Sequence, residues 1–308
     1  MFQILNEQHN AQFIQNDKMI LLTFDDNYVE QTINLIMSIL AYNSGCMFIC
    51  LCSKLTKENT DKLLQTDAGI KIITLTIDST IDTKNWPVTT IFRVFAPWIL
   101  DNSISNILYM DSDFVCTGDI SKLLYFVPGY IAMCPEINAS VKQNMLGYFF
   151  SKHPLSLYCN AGVAKLNCDT IRRDYSFQQV LDAFFESIQY THYVDQDFLN
   201  IFFGKKIDII NNFLYNFQAY ELLGSPMYDK VIKSCSLIHF TIGKPWNYKT
   251  PRQLIKLYYK HTRYDAMKKR MRMIIYKNLI YSTLRFPKKL AVRLYKNIRF
   301  IVFKRTDD

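Results

Sequence analysis

The chain has 308 residues, 49% of them hydrophobic and 20% charged, with only 9 Gly and 9 Pro, which excludes a disordered chain or a fibrous repeat and leaves room for a sizeable core. Its net charge of +9 is unevenly laid: residues 1–243 carry 17 Lys and Arg against 24 Asp and Glu (−7), residues 244–308 carry 19 against 3 (+16). The basic character therefore belongs to a tail, and the body is mildly acidic. The stretch Met1 to Asn10 lacks the cationic start and apolar run of a signal peptide, and nowhere do 18 apolar residues follow one another. The protein is expected to stay in the cytoplasm without spanning a membrane. Its 8 cysteines include no C-x-x-C pair and lie mostly in apolar stretches, as reduced core thiols do. Cys50 and Cys52 would share a strand face, a poor zinc spacing.

Met19 to Phe24 reads as a buried strand that runs straight into Asp25, Asp26, Asn27 and Tyr28. Apolar residues at 29, 33, 36, 37, 39 and 40 then have helical spacing. Cys46 to Cys52 is a second strand, Thr56 caps a helix reaching about Thr66, and Ile70 to Leu75 is a third strand. Strands alternating with helices through short connections predict a parallel α/β sheet. Pro87 and Pro97 are expected to bracket a helix presenting Thr89, Thr90 and Arg93. Asn106 to Met110 is the next strand, ending in Asp111 and Asp113. Tyr130 to Cys134 reads as a strand leading to Glu136, and a polar connection of about 20 residues follows. Tyr158 to Leu166 forms another, followed by a helix from Asp169 or Thr170. Val194 to Phe203 is a helix with an acidic first turn, and Ser236 to Phe240 is a strand that runs into Gly243, Lys244 and Trp246.

Asp111 and Asp113 would emerge at the carboxyl end of a buried strand, in the crevice where open α/β sheets bind ligands. Two oxygen-rich side chains there suit Mg²⁺ or Mn²⁺, which bridge carboxylates to substrate phosphate. Asp is also frequent in turns for its own hydrogen bonds. Asp25, Asp26 and Asn27 can read a nucleobase edge, with Tyr28 stacking on the base; the same residues serve as the N-cap of the next helix. His239, at a strand end, is either structural or a ligand for a borderline metal. Together Asp111, Asp113 and His239 could complete an octahedral site with two diphosphate oxygens. Neither a P-loop nor a Gly-x-Gly-x-x-Gly turn occurs, so the metal and Lys244 would carry the phosphate charge.

The ordered set Thr23 to Tyr28, Thr89-Thr90-x-x-Arg93, Leu108 to Asp113, Tyr158 to Gly162, Asp195 to Asp197 and His239 to Trp246 resembles the family 8 retaining glycosyltransferases, which include bacterial lipopolysaccharide galactosyl- and glucosyltransferases and glycogenin. The resemblance covers roughly residues 19–246 and implies an α/β GT-A fold with a mostly parallel central sheet, a UDP-hexose donor and Mn²⁺, with Mg²⁺ as the alternative. It implies that Thr23, Asp25, Asn27 and Tyr28 hold the uracil end, that Asp111, Asp113 and His239 bind the metal, and that Gly243 and Lys244 meet the diphosphate. Arg93, Asp111, Asn160, Ala161, Asp195 and Gln196 would orient the donor sugar, Gln196 and Asp195 nearest the reaction. The His239 to Lys244 spacer is one residue shorter than in the galactosyltransferases compared, and Glu136 stands where Asp is common.

The expected domains are 1–246, catalytic, and 247–308, a basic helical tail. In the tail Met267, Met271, Ile274, Ile275 and Ile280 lie near helical spacing among Lys268, Lys269, Arg270 and Arg272. After a break at Pro287, Leu290, Leu294, Ile298 and Ile301 form one stripe beside Lys289, Arg293 and Lys296. Such helices fit peripheral attachment to an anionic membrane at the inner face of the cytoplasmic membrane, or an apolar stripe docked on the protein. Nucleic acid ranks last among the partners, because no recognition fold accompanies the basic residues. The leading expectation is hexose transfer to a lipid-linked saccharide acceptor of a cell-surface glycan such as lipopolysaccharide or lipooligosaccharide. A non-catalytic membrane-surface adaptor and a nucleotidyltransferase are the alternatives.

Overall fold

A computed structural model describes residues 2–77, 86–138 and 157–304, with side chains to residue 283 and at 285. Most of the polar connection after Glu136 lies outside the described residues. Contacts divide the chain into Met1–Thr241 and Ile242–Asp308.

In the first unit the described residues form an eight-stranded sheet and a three-stranded one. The large sheet contains β1 (Phe2–His9), β2 (Met19–Phe24), β3 (Met47–Cys52), β4 (Gly69–Ile77), β5 (Asn106–Met110), β7 (Ile131–Pro135), β8 (Cys159–Asn167) and β9 (Ile207–Ile209), in the order β1-β4-β3-β2-β5-β8-β7-β9. The block β4-β3-β2-β5 is parallel, as is β7 with β9. The pairings β1 to β4, β5 to β8 and β8 to β7 are antiparallel. The parallel strands are nearly continuous apolar runs because helices cover the sheet; β2 is buried along its whole length. Helices Val29–Leu40 and Lys57–Leu64 make the crossovers, and Thr56 caps the second by accepting from the Asn59 amide at 3.3 Å. All eight cysteines are free and buried, and burial pushes their thiols up, Cys46 to about 11.

Three elements differ from expectation. β1 is an antiparallel edge strand, mostly exposed and polar, whose Phe2 ring packs 5.1 Å from that of Phe95; its sequence has no strand-like alternation. Pro97 lies inside the helix Phe92–Ile99 and does not end it, since so near the helix end its missing N–H forfeits a single bond. Pro87 caps a separate 3₁₀ turn, Val88–Ile91. The helix placed at Asp169 or Thr170 begins at Cys168, capped by Asn167.

The small sheet holds β6 (Phe114–Cys116), β10 (Phe217–Gln218) and β11 (Leu237–His239), in the order β10-β11-β6. The chain therefore leaves the large sheet at Met110 and enters the small one at Phe114. Asp111, Ser112 and Asp113 are the three residues of that crossing.

The second unit contains helices Arg252–His261 and Asp265–Lys304. The latter runs through Pro287, so the expected break is corrected: flanking Leu, Lys and Ala are strong helix formers that carry one lost hydrogen bond. The stripe Leu290, Leu294, Ile298 and Ile301, with Lys289, Arg293 and Lys296, lies outside the described side chains. Met267, Met271 and Ile274 are buried, whereas Met273, Tyr276, Leu279 and Ile280 are exposed. The apolar stripe expected to meet lipid is thus largely an inward face. Asn278 fixes the helix by donating to the carbonyls of Tyr248 and Thr250 at 2.6 and 3.0 Å. No described helix is long and apolar enough to cross a membrane.

Candidate functional site

The antiparallel pairing of β6 with β11 sets His239 against Phe114, whose ring stacks on the imidazole at 4.0 Å. His239 thereby arrives beside Asp113, with Nε2 3.2 Å from Oδ1. The contact is not a hydrogen bond. Asp111 is fixed through its backbone, its amide donating to the Gly162 carbonyl at 2.9 Å. Ligand atoms of Asp111, Asp113 and His239 lie within 4.8 Å of one another. Two carboxylates and one imidazole are a donor set that suits a divalent cation of the Mg²⁺ or Mn²⁺ class, and the residues present fit it.

A buried arginine organises the next layer. Arg93 Nη2 pairs with Asp111 Oδ1 at 2.9 Å and Nε with Asp195 Oδ2 at 2.8 Å. Its Nη1 donates to the Ala161 carbonyl at 2.8 Å, and the guanidinium lies 4.3 Å above the Tyr109 ring. Tyr109 donates to Asp111 and contacts the Thr23 hydroxyl at 3.2 Å. Asp111 and Asp195 hold the guanidinium charged despite its burial. Burial raises the Asp195 carboxyl to about 6; Arg93 pulls it down and Asp111 pushes it up.

Asn160, Ala161 and Gln196 form one hydrogen-bonded cluster. Gln196 Oε1 accepts from the Ala161 amide at 3.0 Å and from Asn160 Nδ2 at 3.2 Å. Gln196 Nε2 donates to the Tyr158 hydroxyl at 3.1 Å. Glu136, 2% exposed, takes Asn160 Nδ2 at 2.8 Å and the Asn138 amide at 2.8 Å. Tyr158 donates to Asp197, which also accepts the His192 and Tyr193 amides at 2.6 and 2.7 Å and so pins the start of the helix Val194–Phe203. Glu136, Tyr158, Asp197 and Asn216 extend the set read from the sequence. Asn216 gave no signal beyond being a loop asparagine.

Asp25, Asn27 and Tyr28 follow the carboxyl end of β2, the parallel neighbour of β5. Both Asp25 oxygens bind Asn27, from its amide at 2.9 Å and from Nδ2 at 3.3 Å, so Asp25 caps the turn Asp26–Tyr28. Asp26 accepts from the Thr56 amide at 2.7 Å. Thr32 donates to the Tyr28 carbonyl and lies 2.7 Å from the Ser112 hydroxyl, linking this turn to the crossing segment. Gly243 and Lys244 belong to the second unit; Gly243 has φ 67°, and the Lys244 carbonyl accepts from the Asn247 amide at 2.9 Å and the Thr250 hydroxyl at 2.8 Å.

Comparison with known proteins identifies the family and the fold. The model of the family described as Glycosyl transferase family 8 matches residues 19–250. A lipopolysaccharide 1,2-glucosyltransferase of Escherichia coli is 27% identical over 242 residues, covering 71% of this chain and 68% of that protein. A lipopolysaccharide 1,3-galactosyltransferase of Salmonella typhimurium is 27% identical over 184 residues, covering 54% of this chain and 51% of its own length. Among solved structures, the galactosyltransferase LgtC in complex with donor and acceptor sugar analogues superposes with a TM-score of 0.64 at 17% identity, over 82% of this chain and 99% of that one. The likeness is one of fold.

The elevated Asp195 carboxyl has a signed consequence. Folding raises its pKa from 3.8 to about 6, so between those values the folded state binds more protons and this group's contribution to stability falls as pH rises. Thermal unfolding across pH 4 to 7 is expected to show a decline through this window in the wild type that Asp195→Asn lacks; parallel curves for the two proteins would contradict the assignment.

Proposed function

The chain belongs to glycosyl transferase family 8, and from that premise we propose that it transfers galactose or glucose from a UDP-sugar, with retention of configuration, to a saccharide acceptor of a bacterial surface glycan such as lipopolysaccharide. The observation that carries this reading is the convergence of Asp111, Asp113 and His239 beside the cluster of Arg93, Asp195, Asn160 and Gln196. Asp111, Asp113 and His239 would hold the cation, Mn²⁺ in this reading, with Mg²⁺ as the alternative. When bound, the cation supplies charge neutralisation for a departing nucleoside diphosphate.

The chain's own residues do the rest. Asp25, Asn27 and Tyr28 hold the base beside the crossing segment, and Thr23 supports Tyr109 beneath it. Arg93 pairs with Asp111 and Asp195 and holds the two carboxylates side by side, so that Asp195 can accept hydrogen bonds from sugar hydroxyls while Asp111 faces both sugar and cation. Ala161 and Asn160 fix the Gln196 amide through its oxygen. Engaged in this way, and lacking a carboxylate's charge, Gln196 is a poor nucleophile. A front-face displacement, in which the acceptor hydroxyl enters on the side from which the diphosphate leaves and gives its proton to the departing phosphate as the new glycosidic bond forms, fits this geometry and needs no enzyme nucleophile. Gln196 then stabilises charge on the sugar.

The tail attaches the enzyme to an anionic membrane, where a lipid-linked acceptor would lie. The supporting feature is the exposed row Met273, Tyr276 and Ile280 of the long helix, spaced i, i+3, i+7 on one face and flanked by Arg272 and Lys277. A cytoplasmic, peripheral location follows from this reading.

Two measurements test it. A panel of UDP-sugars assayed for UDP release with Mn²⁺ and a saccharide acceptor should give turnover with UDP-galactose or UDP-glucose, reduced at least about 100-fold in Asp111→Asn, the size of effect seen when a charge-stabilising group is lost; full activity in that variant would refute the assignment. The full chain should float with vesicles containing anionic lipid and remain unbound to neutral ones, with Met273→Ser combined with Ile280→Ser abolishing flotation. Undiminished flotation of the double variant would remove this helix face as the attachment surface.

A further inference from the structure

The orientation of one candidate ligand is set by a route the reaction scheme does not use. Asn216, 1% exposed, follows the helical turn Asn212–Tyr215 and precedes β10, whose parallel pairing with β11 aligns Gln218 with His239. Its amide stands between two groups: Oδ1 lies 2.8 Å from His239 Nδ1, and Nδ2 donates to Asn160 Oδ1 at 2.9 Å. Asn160 Oδ1 also accepts from the Gly162 amide at 2.9 Å.

These bonds can be read in only one sense. A backbone N–H donates and never accepts, so the atom of Asn160 facing Gly162 is its oxygen. The atom of Asn216 that meets this oxygen must then be its NH₂, which turns the Asn216 oxygen to His239. An amide oxygen only accepts, so His239 Nδ1 carries the proton. In the neutral ring this leaves Nε2 as the lone pair, the atom that faces Asp113 at 3.2 Å without a hydrogen bond. The same asparagine reaches the sugar cluster, because Asn160 Nδ2 bonds Glu136 and Gln196. Gly162 is tied to the arrangement by space as well: a Cβ there would lie 2.4 Å from His239 Cε1 and 2.9 Å from Asn160 Oδ1.

We infer that Asn216 is a positioning residue that holds the His239 ring with Nε2 presented as a ligand and couples it, through Asn160, to the cluster around Gln196. The coupling to metal rests on the cation-site reading above; the tautomer does not. Partners of this kind, bonded to the far nitrogen of a metal-binding imidazole, typically change metal affinity 10- to 100-fold when removed.

The variants separate the two ends of the amide. Asn216→Asp keeps an acceptor for His239 Nδ1 but places an oxygen against Asn160 Oδ1, whereas Asn216→Ala removes both bonds. In metal-free protein, long-range ¹H–¹⁵N correlations of the His239 ring should report the Nδ1–H tautomer in the wild type and in Asn216→Asp. An Nε2–H ring in the wild type would overturn the inference whatever becomes of the cation site. With UDP present, Mn²⁺ affinity followed by electron paramagnetic resonance should fall 10- to 100-fold in Asn216→Ala and stay within about threefold in Asn216→Asp, while turnover falls in both. Wild-type affinity in Asn216→Ala, or an equal loss in the two variants, would overturn it. Asp113→Asn, measured alongside, isolates the underlying reading: unchanged Mn²⁺ affinity there defeats the cation site itself and the metal arm of the inference with it.

Discussion

A guanidinium buried between two carboxylates is the constraint on which the site depends. Arg93 arrives from the helix Phe92–Ile99, Asp111 from the end of β5, Asp195 from the first turn of the helix Val194–Phe203 and the Ala161 carbonyl from β8. Removing any one partner would strand a charge in a medium that solvates it poorly, so the four elements are held in one arrangement. The cluster is also unbalanced. One guanidinium faces Asp111 and Asp195, with Asp113 close by, and the surplus negative charge is what a divalent cation offsets. Burial first, and then the neighbouring Asp111, raises Asp195.

The position of this charge follows from topology. β5 belongs to the parallel block, whose carboxyl ends form the ligand crevice of α/β sheets, yet β8 runs antiparallel beside it and brings Asn160, Ala161 and Gly162 back to the same end. The chain then crosses to the small sheet within Asp111, Ser112 and Asp113, and the β6 to β11 pairing returns His239 from far along the sequence. A three-residue crossing cannot relax much without breaking the Asp111 to Gly162 or Phe240 to Asp113 backbone bonds. Ligand atoms are thereby set by backbone pairing, and side-chain rotamers have little freedom to move them.

Where side-chain pattern and local backbone rule coincide, the sequence was legible. Continuous apolar runs marked β2, β3 and β5, 3.6-residue spacing marked the helix Val29–Leu40, and Val194–Phe203 was read to the residue. Polar residues at strand ends were legible too: Asp25 and Asn27 follow β2, Asp111 and Asp113 follow β5, and His239 ends β11. Less visible were features decided by tertiary context. β1 has no strand pattern and exists because β4 offers an edge. The helix Phe177–Ile188 was announced by Ser176 and Gln179, a reciprocal capping box, but not read. In the tail, periodicity identified an amphipathic helix but not which apolar stripe faces inward; Met267 and Met271 are buried while Met273 and Tyr276 are exposed. Asn216 carried no sequence signal, since its importance arises only when β10 and β11 pair.

The central claim is that the crossing segment and His239 form one cation site that works together with a bound nucleoside diphosphate. Anomalous scattering from crystals grown with Mn²⁺ and UDP tests it most directly. The account predicts a single manganese peak within bonding distance of Asp111, Asp113 and His239 Nε2, with the diphosphate on its open side. A bound UDP with no manganese at these three side chains, or with the metal held elsewhere, would contradict it.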